Sequence, residues 1–309
     1  MKKVSFLISA HNEEKLIHRP LENLLHLPYD RYEVLIGLDG CTDKTEEIVR
    51  SFCLRSRKFR YFSFSERRGK PEIINRLLRH ATGELIVIHD ADWIFSANNK
   101  KTLHRFFSVF DDPTVGGIAE SFPVEWAPSS SQQGNLAYKM VAYSSFLWFS
   151  YQKEHFAVKK EHLFVVTHAS MFLTNIFRKK LYTKNFSLGD DFERTASIMQ
   201  QGSKVVLFER ENMPRMIATY TTHRLRDLFK QKIRTAAARK QLLRAGVFRF
   251  SLFSYYSSIL LYFLKHLWHW GIVVGFLLLL WIFLFSFATF LSSFRRTTTR
   301  GGWTLRARR

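Results

Sequence analysis

Three groups of carboxylates in this chain of 309 residues are placed where they could do chemistry. Asp39 ends the apolar run Val34–Leu38, and Asp90 and Asp92 end Leu85–His89 as Asp-Ala-Asp. Asp190 and Asp191 follow Gly189 at the opening of a helical stretch. An Asp-x-Asp puts two hard oxygen ligands within reach of one Mg²⁺ or Mn²⁺, ions that commonly bridge substrate phosphates; the same tripeptide also reads as a solvated turn. Adjacent carboxylates repel, which raises the pKa of one and suits it to general-base work. The same pair also reads as ordinary acidic capping of a helix start. Arg67-Arg68-Gly69-Lys70 precedes a helix N-terminus, where backbone N–H groups favour an anion. It suits a diphosphate, or is a solvated loop.

The surrounding pattern supplies the elements. Val4–Ser9, Tyr32–Leu38, Phe59–Phe64 and Leu85–His89 read as strands. Glu13–Leu27, Thr42–Leu54 and Pro71–His80 read as the helices between them. Such alternation predicts a parallel, doubly wound α/β sheet. Ligands bind outside the carboxyl ends of its strands, where these acids fall. Farther on, Val115–Phe122 and Val205–Phe208 are expected strands, and Ala127–Gly134 is an expected mobile loop. Asp190–Gln201 and the basic Leu225–Leu243 are expected helices. Leu136–Gln152 is an aromatic-rich helix that either packs into the core or lies on a bilayer.

Composition is ordinary for a folded protein, with 46% apolar and 24% charged residues. A disordered or collagen-like chain is excluded. Two cysteines, Cys41 and Cys53, make no disulfide framework. The net charge of +21 resides in three patches at 50–70, 223–249 and 295–309. Such patches suit nucleic acid, anionic headgroups or a polyphosphate ligand. A nucleic-acid binder leaves the strand-end acids unexplained, so no nucleic-acid partner is expected. No Asp, Glu, Lys or Arg occurs from His266 to Phe294. That length exceeds the ~20 residues a membrane-crossing helix needs, and Tyr262, Trp268 and Trp270 suit an interfacial belt. The expectation is an integral membrane segment of one or two helices, the two-helix form turning near His266–Gly271, with the catalytic part cytoplasmic. The opening Met1-Lys2-Lys3 and its short apolar run read as a first strand, not a signal peptide.

Several of these pieces, in order and spacing, resemble glycosyltransferase family 2 catalytic domains over about residues 3–245. They are Ser5–Glu14 (SFLISAHNEE), Leu38–Thr45 (LDGCTDKT), Gly69-Lys70 with Asn75, Ala81–Glu84 (ATGE) and His89–Asp92 (HDAD). The resemblance implies a GT-A fold, of the nucleotide-diphospho-sugar transferase type, a nucleotide-sugar donor, and Mg²⁺ or Mn²⁺. It places Asp39 near the donor nucleobase or ribose with Ser9 and His11 lining that pocket. Lys70 and Asp90 fall on the donor side, Asp92 is the direct metal ligand beside Asp90, and Asp191 is the base. Gln231-Lys232-Ile233-Arg234 resembles the Q-x-x-R-W motif of cellulose and hyaluronan synthases, which implies that Gln231 and Arg234 close over the donor phosphates. On a basic helix the two also read as plain surface residues. This chain departs from the family at His11 (more often Tyr), Leu38 (Asp), Asp190 (Glu) and Thr235 (Trp).

The expected organisation is a catalytic domain over 1–245, a membrane region over 246–294 and an Arg-rich tail over 295–309. The expected function is inverting sugar transfer to a hydroxyl or lipid phosphate, in cell-envelope polysaccharide or glycolipid synthesis. The partners are a nucleotide-sugar donor, a lipid-linked or saccharide acceptor and membrane lipids. A catalytically degenerate, membrane-anchored scaffold is the alternative.

Overall fold

Strands β1 (Val4–Ala10) and β2 (Tyr32–Asp39) are buried along almost their whole length, as strands covered on both faces must be. They lie at the centre of the fold in a computed structural model that describes residues 1–97, 99–120, 124–126, 147–169, 172–184, 187, 189–208, 213–220, 225–244, 246–247, 252–292 and 294. The remaining strands are β3 (Phe59–Phe64), β4 (Leu85–Asp90), β5 (Trp93–Ser96), β6 (Val115–Glu120), β7 (Val124–Trp126), β8 (Ala157–Lys160), β9 (Leu163–Val166), β10 (Leu173–Arg178), β11 (Lys204–Phe208) and β12 (Arg215–Tyr220). The helices are α1 (His18–Leu25), α2 (Thr45–Arg55), α3 (Lys70–Leu77), α4 (Lys100–Ser108), α5 (147–156), α6 (Asp190–Gln200), α7 (Leu225–Arg244) and α8 (Leu252–Leu291).

Nine strands form one sheet in the order β3-β2-β1-β4-β10-β6-β11-β9-β8. The first four are parallel, as expected. Beyond β4 the sheet is mixed: β10 runs antiparallel to both β4 and β6, and β8–β9 is an antiparallel hairpin. Antiparallel neighbours need no helical crossover, so helix–strand alternation in the sequence does not reveal them. A second, three-stranded sheet joins β5, β12 and β7. Alternate residues of β1 face opposite layers. Phe6 and Ile8 meet Leu21, Phe52 and Phe106, whereas Leu7 meets Ile73, Ile74 and Leu77 of α3.

The C-terminal region corrects the membrane expectation. Helix α8 runs unbroken through His266–Gly271, where a turn was expected. Helix α7 closes before it with a cap of its own. There the N–H of Gly246 reaches Leu243 O and that of Val247 reaches Leu242 O, the pattern of a Schellman cap with Gly246 at φ +69°. The apolar run packs on the basic helix that precedes it. Lys232 lies over the Trp281 ring, Arg239 over Phe285 and Trp148, and Lys240 donates to Thr289 O at 3.0 Å. Cations along that face are costly in hydrocarbon. Among the described residues no helix is long and apolar enough to cross a membrane, and the expected integral membrane placement is overturned. Of the expected aromatic helix, the described residues 147–156 pack Leu147 and Tyr151 against Ile259, Tyr262 and Phe263 of α8. The rest of it, the loop Ala127–Gly134 and the tail 295–309 lie outside the described residues.

Candidate active site

The parallel strands β1, β2 and β4 end together. Ser9 is in register with Gly37 on one side and Asp90 on the other, so it lies between the ends of β2 and β4. Asp39 closes β2 and is 2% exposed. Its two carboxylate oxygens accept the main-chain N–H groups of Arg68 (2.6 Å) and Gly69 (2.9 Å). His11 Nδ1–H donates to the Asp39 carbonyl at 2.6 Å. Gly40, at φ +63°, lies against the same loop: a Cβ there would stand 2.8 Å from the Arg67 nitrogen. A side chain is excluded twice over, by backbone conformation and by contact. The loop after β1 is latched to the loop after β2. Asn12 Oδ1 accepts from Thr42 N at 2.8 Å, and Thr45 Oγ1 from Glu13 N at 2.8 Å.

The basic loop therefore reaches the acids through its last residue. Lys70 Nζ lies 2.8 Å from Asp90 Oδ1 and 3.9 Å from Asp190 Oδ2. On the far side of the cluster the guanidinium of Arg194 holds Asp190 Oδ2 at 2.7 Å and Asp191 Oδ1 at 2.8 Å. Asp90, Asp190 and Asp191 thus share one crevice with Lys70 and Arg194, and Asp39 is joined to it through the loop it anchors. Asp92 lies beyond Asp90 in the two-residue link between β4 and β5 and is partly exposed. His89 is fully buried and its Nδ1–H donates to the Asp90 carbonyl at 2.8 Å, which fixes the start of that link. Burial pushes the His89 imidazolium pKa down to about 4, so the ring is neutral at physiological pH.

The two adjacent aspartates part company. Burial raises the Asp191 carboxyl to about 6, and the charge of Asp190 adds to the rise. Burial acts on Asp190 as well, but Lys70 and then Arg194 outweigh it and hold Asp190 below the ordinary carboxylate range. Burial likewise opposes the charge on Lys70, and Asp190, Asp90 and Asp191 overcome it, so the ammonium pKa lies above its usual value. One member of the pair is a fixed anion and its neighbour a carboxylate able to take a proton near neutrality.

Helix α7 abuts the same place. Ala238 and Leu242 approach Gly189, immediately before Asp190, to within 3.5 and 3.2 Å of where a Cβ would stand. Arg234 and Gln231 lie about one and two turns earlier on that face of the helix. Among the described residues no three His, Cys, Asp or Glu side chains gather as a ready-made metal nest.

Residues 5–181 match the family model described as glycosyl transferase family 2, more than half of the chain. The chain belongs to glycosyl transferase family 2. It is a glycosyltransferase with a GT-A α/β fold. Among curated relatives it is 25% identical over 260 residues to the Methanococcus voltae dolichyl N-acetyl-alpha-D-glucosaminyl phosphate 3-beta-D-2,3-diacetamido-2,3-dideoxy-beta-D-glucuronosyltransferase, covering 80% of this chain and 76% of that one. Among solved structures it resembles the mannosyltransferase PcManGT from Pyrobaculum calidifontis in complex with GDP-Man and Mn²⁺. The TM-score there is 0.55 at 20% identity, over 97% of this chain and 77% of the other. It also resembles S. aureus TarS 1-349 in complex with UDP-GlcNAc, with TM-score 0.51 and 17% identity, over 76% of this chain and 66% of that one.

Arg194 escaped the sequence reading. Its spacing to the aspartates, four residues after Asp190 and three after Asp191, is that of a helical ion pair and was legible. Its other partners, Thr174 and Asn175, lie on a strand that the pattern did not reveal.

Proposed function

We propose that this glycosyltransferase moves a sugar from a nucleoside-diphosphate donor to an acceptor hydroxyl by a single inverting displacement, within a catalytic unit spanning residues 1–245. The observation that carries the reading is the Lys70 bridge, which draws the end of β4 and the start of α6 into one crevice. Ser9, His11 and the loop anchored on Asp39 line the nucleoside end. Arg67, Arg68 and Lys70 face the diphosphate, and Gln231 and Arg234 approach it from α7.

The residues at the β4 end fit a divalent cation. Mg²⁺ is usually held by one or two carboxylates together with substrate phosphates, and Asp90 already attracts a cation, the Lys70 ammonium. Asp92 and Asp90 would hold Mg²⁺ or Mn²⁺, whose chemistry there is to neutralise charge on the departing nucleoside diphosphate. The PcManGT and TarS complexes support a nucleotide-sugar donor, and the first also supports a divalent cation. Asp191 takes the proton of the acceptor hydroxyl as that oxygen attacks the anomeric carbon from the face opposite the leaving group. No enzyme nucleophile is required. The name of the M. voltae relative supports a lipid-linked sugar as acceptor.

The test is release of nucleoside diphosphate by purified protein from a panel of nucleotide sugars, with Mg²⁺ or Mn²⁺, with and without a lipid extract. Donor-dependent release in the wild type and its loss in Asp92→Ala and Asp191→Asn are expected. Full activity in either variant removes the corresponding assignment.

A further inference from the structure

Asp190 and Asp191 are tied to the sheet by the single side chain of Arg194. That side chain is 2% exposed and makes four hydrogen bonds. Nε donates to Thr174 O at 2.8 Å and Nη1 to Asp190 Oδ2 at 2.7 Å. Nη2 donates to Asn175 Oδ1 at 2.7 Å and to Asp191 Oδ1 at 2.8 Å. Thr174 and Asn175 occupy the place where the pairing of β10 with β6 slips between Thr174 and Ile176. Such a bulge leaves one residue out of the ladder and re-aims its side chain. Here the extra residue is Asn175, buried at 4% exposure, and its amide oxygen meets the guanidinium. A second bond joins the Thr174 and Thr195 hydroxyls at 2.6 Å, pinning α6 to the bulge one residue beyond Arg194. Among the described residues the side-chain contacts of Asp191 run through Oδ1 alone.

We infer that Arg194, seated by the bulge at Asn175, is a positioning residue for the transfer: it fixes Oδ1 of Asp191 so that Oδ2 is the oxygen addressed to the acceptor hydroxyl. The inference rests on the reading of Asp191 as the base. A rigid planar fan of donors suits this task, because four acceptors in fixed directions hold the guanidinium in one orientation. Lysine carries the same charge but not the fan. Misplacing a base by about 1 Å costs on the order of a hundredfold in rate, so the geometry itself is what the side chain contributes.

The test measures kcat, donor KM and direct donor binding in the purified enzyme for wild type, Asp191→Asn, Arg194→Lys and Asn175→Ala, with circular dichroism as the check on folding. Arg194→Lys is expected to lower kcat about a hundredfold while donor KM and donor binding stay within about threefold, the signature of an interaction made in the transition state. Asn175→Ala, which removes one contact and leaves the charge intact, is expected to lower kcat about tenfold in the same pattern; it decides the matter if the lysine variant does not fold. Wild-type kcat in a folded Arg194→Lys or Asn175→Ala overturns the inference, as does a fall in kcat matched by an equal loss of donor binding. A wild type that turns over no donor, or an Asp191→Asn that remains active, instead overturns the reading of the base.

Discussion

The ammonium of Lys70 lies 2.8 Å from the carboxylate of Asp90, although α3 and β4 reach that point from opposite directions along the chain. One cation thereby neutralises the acid at the end of β4 and approaches Asp190 as well. A phosphate entering the crevice meets a lysine that already has acidic partners, and binding exchanges one set of partners for another.

Replacing that lysine should therefore weaken donor binding more than it slows chemistry. Lys70→Met is expected to raise donor KM about tenfold or more, in line with the ~1.5–3 kcal/mol typical of hydrogen bonds to charged groups. Steady-state kinetics over donor concentration would show it, and an unchanged KM would count against a phosphate-facing role.

The raised pKa of Asp191 sets the acid side of the pH profile. With the carboxyl at about 6 in the free protein, kcat/KM should fall as the pH drops through that value if Asp191 is the base. A profile flat from pH 5 to 8 would exclude Asp191 as the group whose ionisation limits the rate.

The same shift has a sign for stability. The folded pKa of Asp191 lies above its unfolded value, so the native state binds the extra proton between about pH 4 and 6 and loses stability as the pH rises through that window. Asp191→Asn should then melt higher than wild type at pH 7.5, by up to about 2 kcal/mol, with the difference vanishing near pH 4. Thermal unfolding at the two pH values checks this. Equal melting at pH 7.5 would mean that the folded carboxyl is not raised.

Two glycines with nearly the same φ should respond differently. Gly246 has open space where a Cβ would go, so Gly246→Ala should cost only the ~1–2 kcal/mol of a left-handed alanine and leave the rate unchanged. Gly40→Ala adds contact with the Arg67 backbone and should displace the loop held by Asp39, with a further loss of donor affinity. Comparable affinity in the two variants would disconnect that loop from the donor.

What could be read from the sequence follows burial. Strands β1, β2 and β4 are covered on both faces, so they show as unbroken apolar runs, and the acids at their ends could be placed by the strand-end rule. Strand β8 is an exposed edge with Lys159 and Lys160, and β10 places a bulge and Asn175 where a run would continue; neither announces itself. The bonds from Arg194 to Thr174 and Asn175 join residues about twenty apart whose proximity exists only in the folded sheet. The apolar run of α8 was misread because its composition does not say what covers it. Lys232, Arg239 and Lys240 lie beside its last turns only in the folded chain.

Helix α8 spans 40 residues. Its packed face accounts for Leu278, Trp281 and Phe285, while Ile272, Phe276, Leu279, Phe283 and Phe290 are exposed. Those side chains recur at three, four or seven positions and so form one greasy ridge. In dilute buffer such a ridge has water as its neighbour, and crowding the sample gives it others. Specific activity should therefore drift with protein concentration, and rates are best compared between variants at a single, low enzyme concentration.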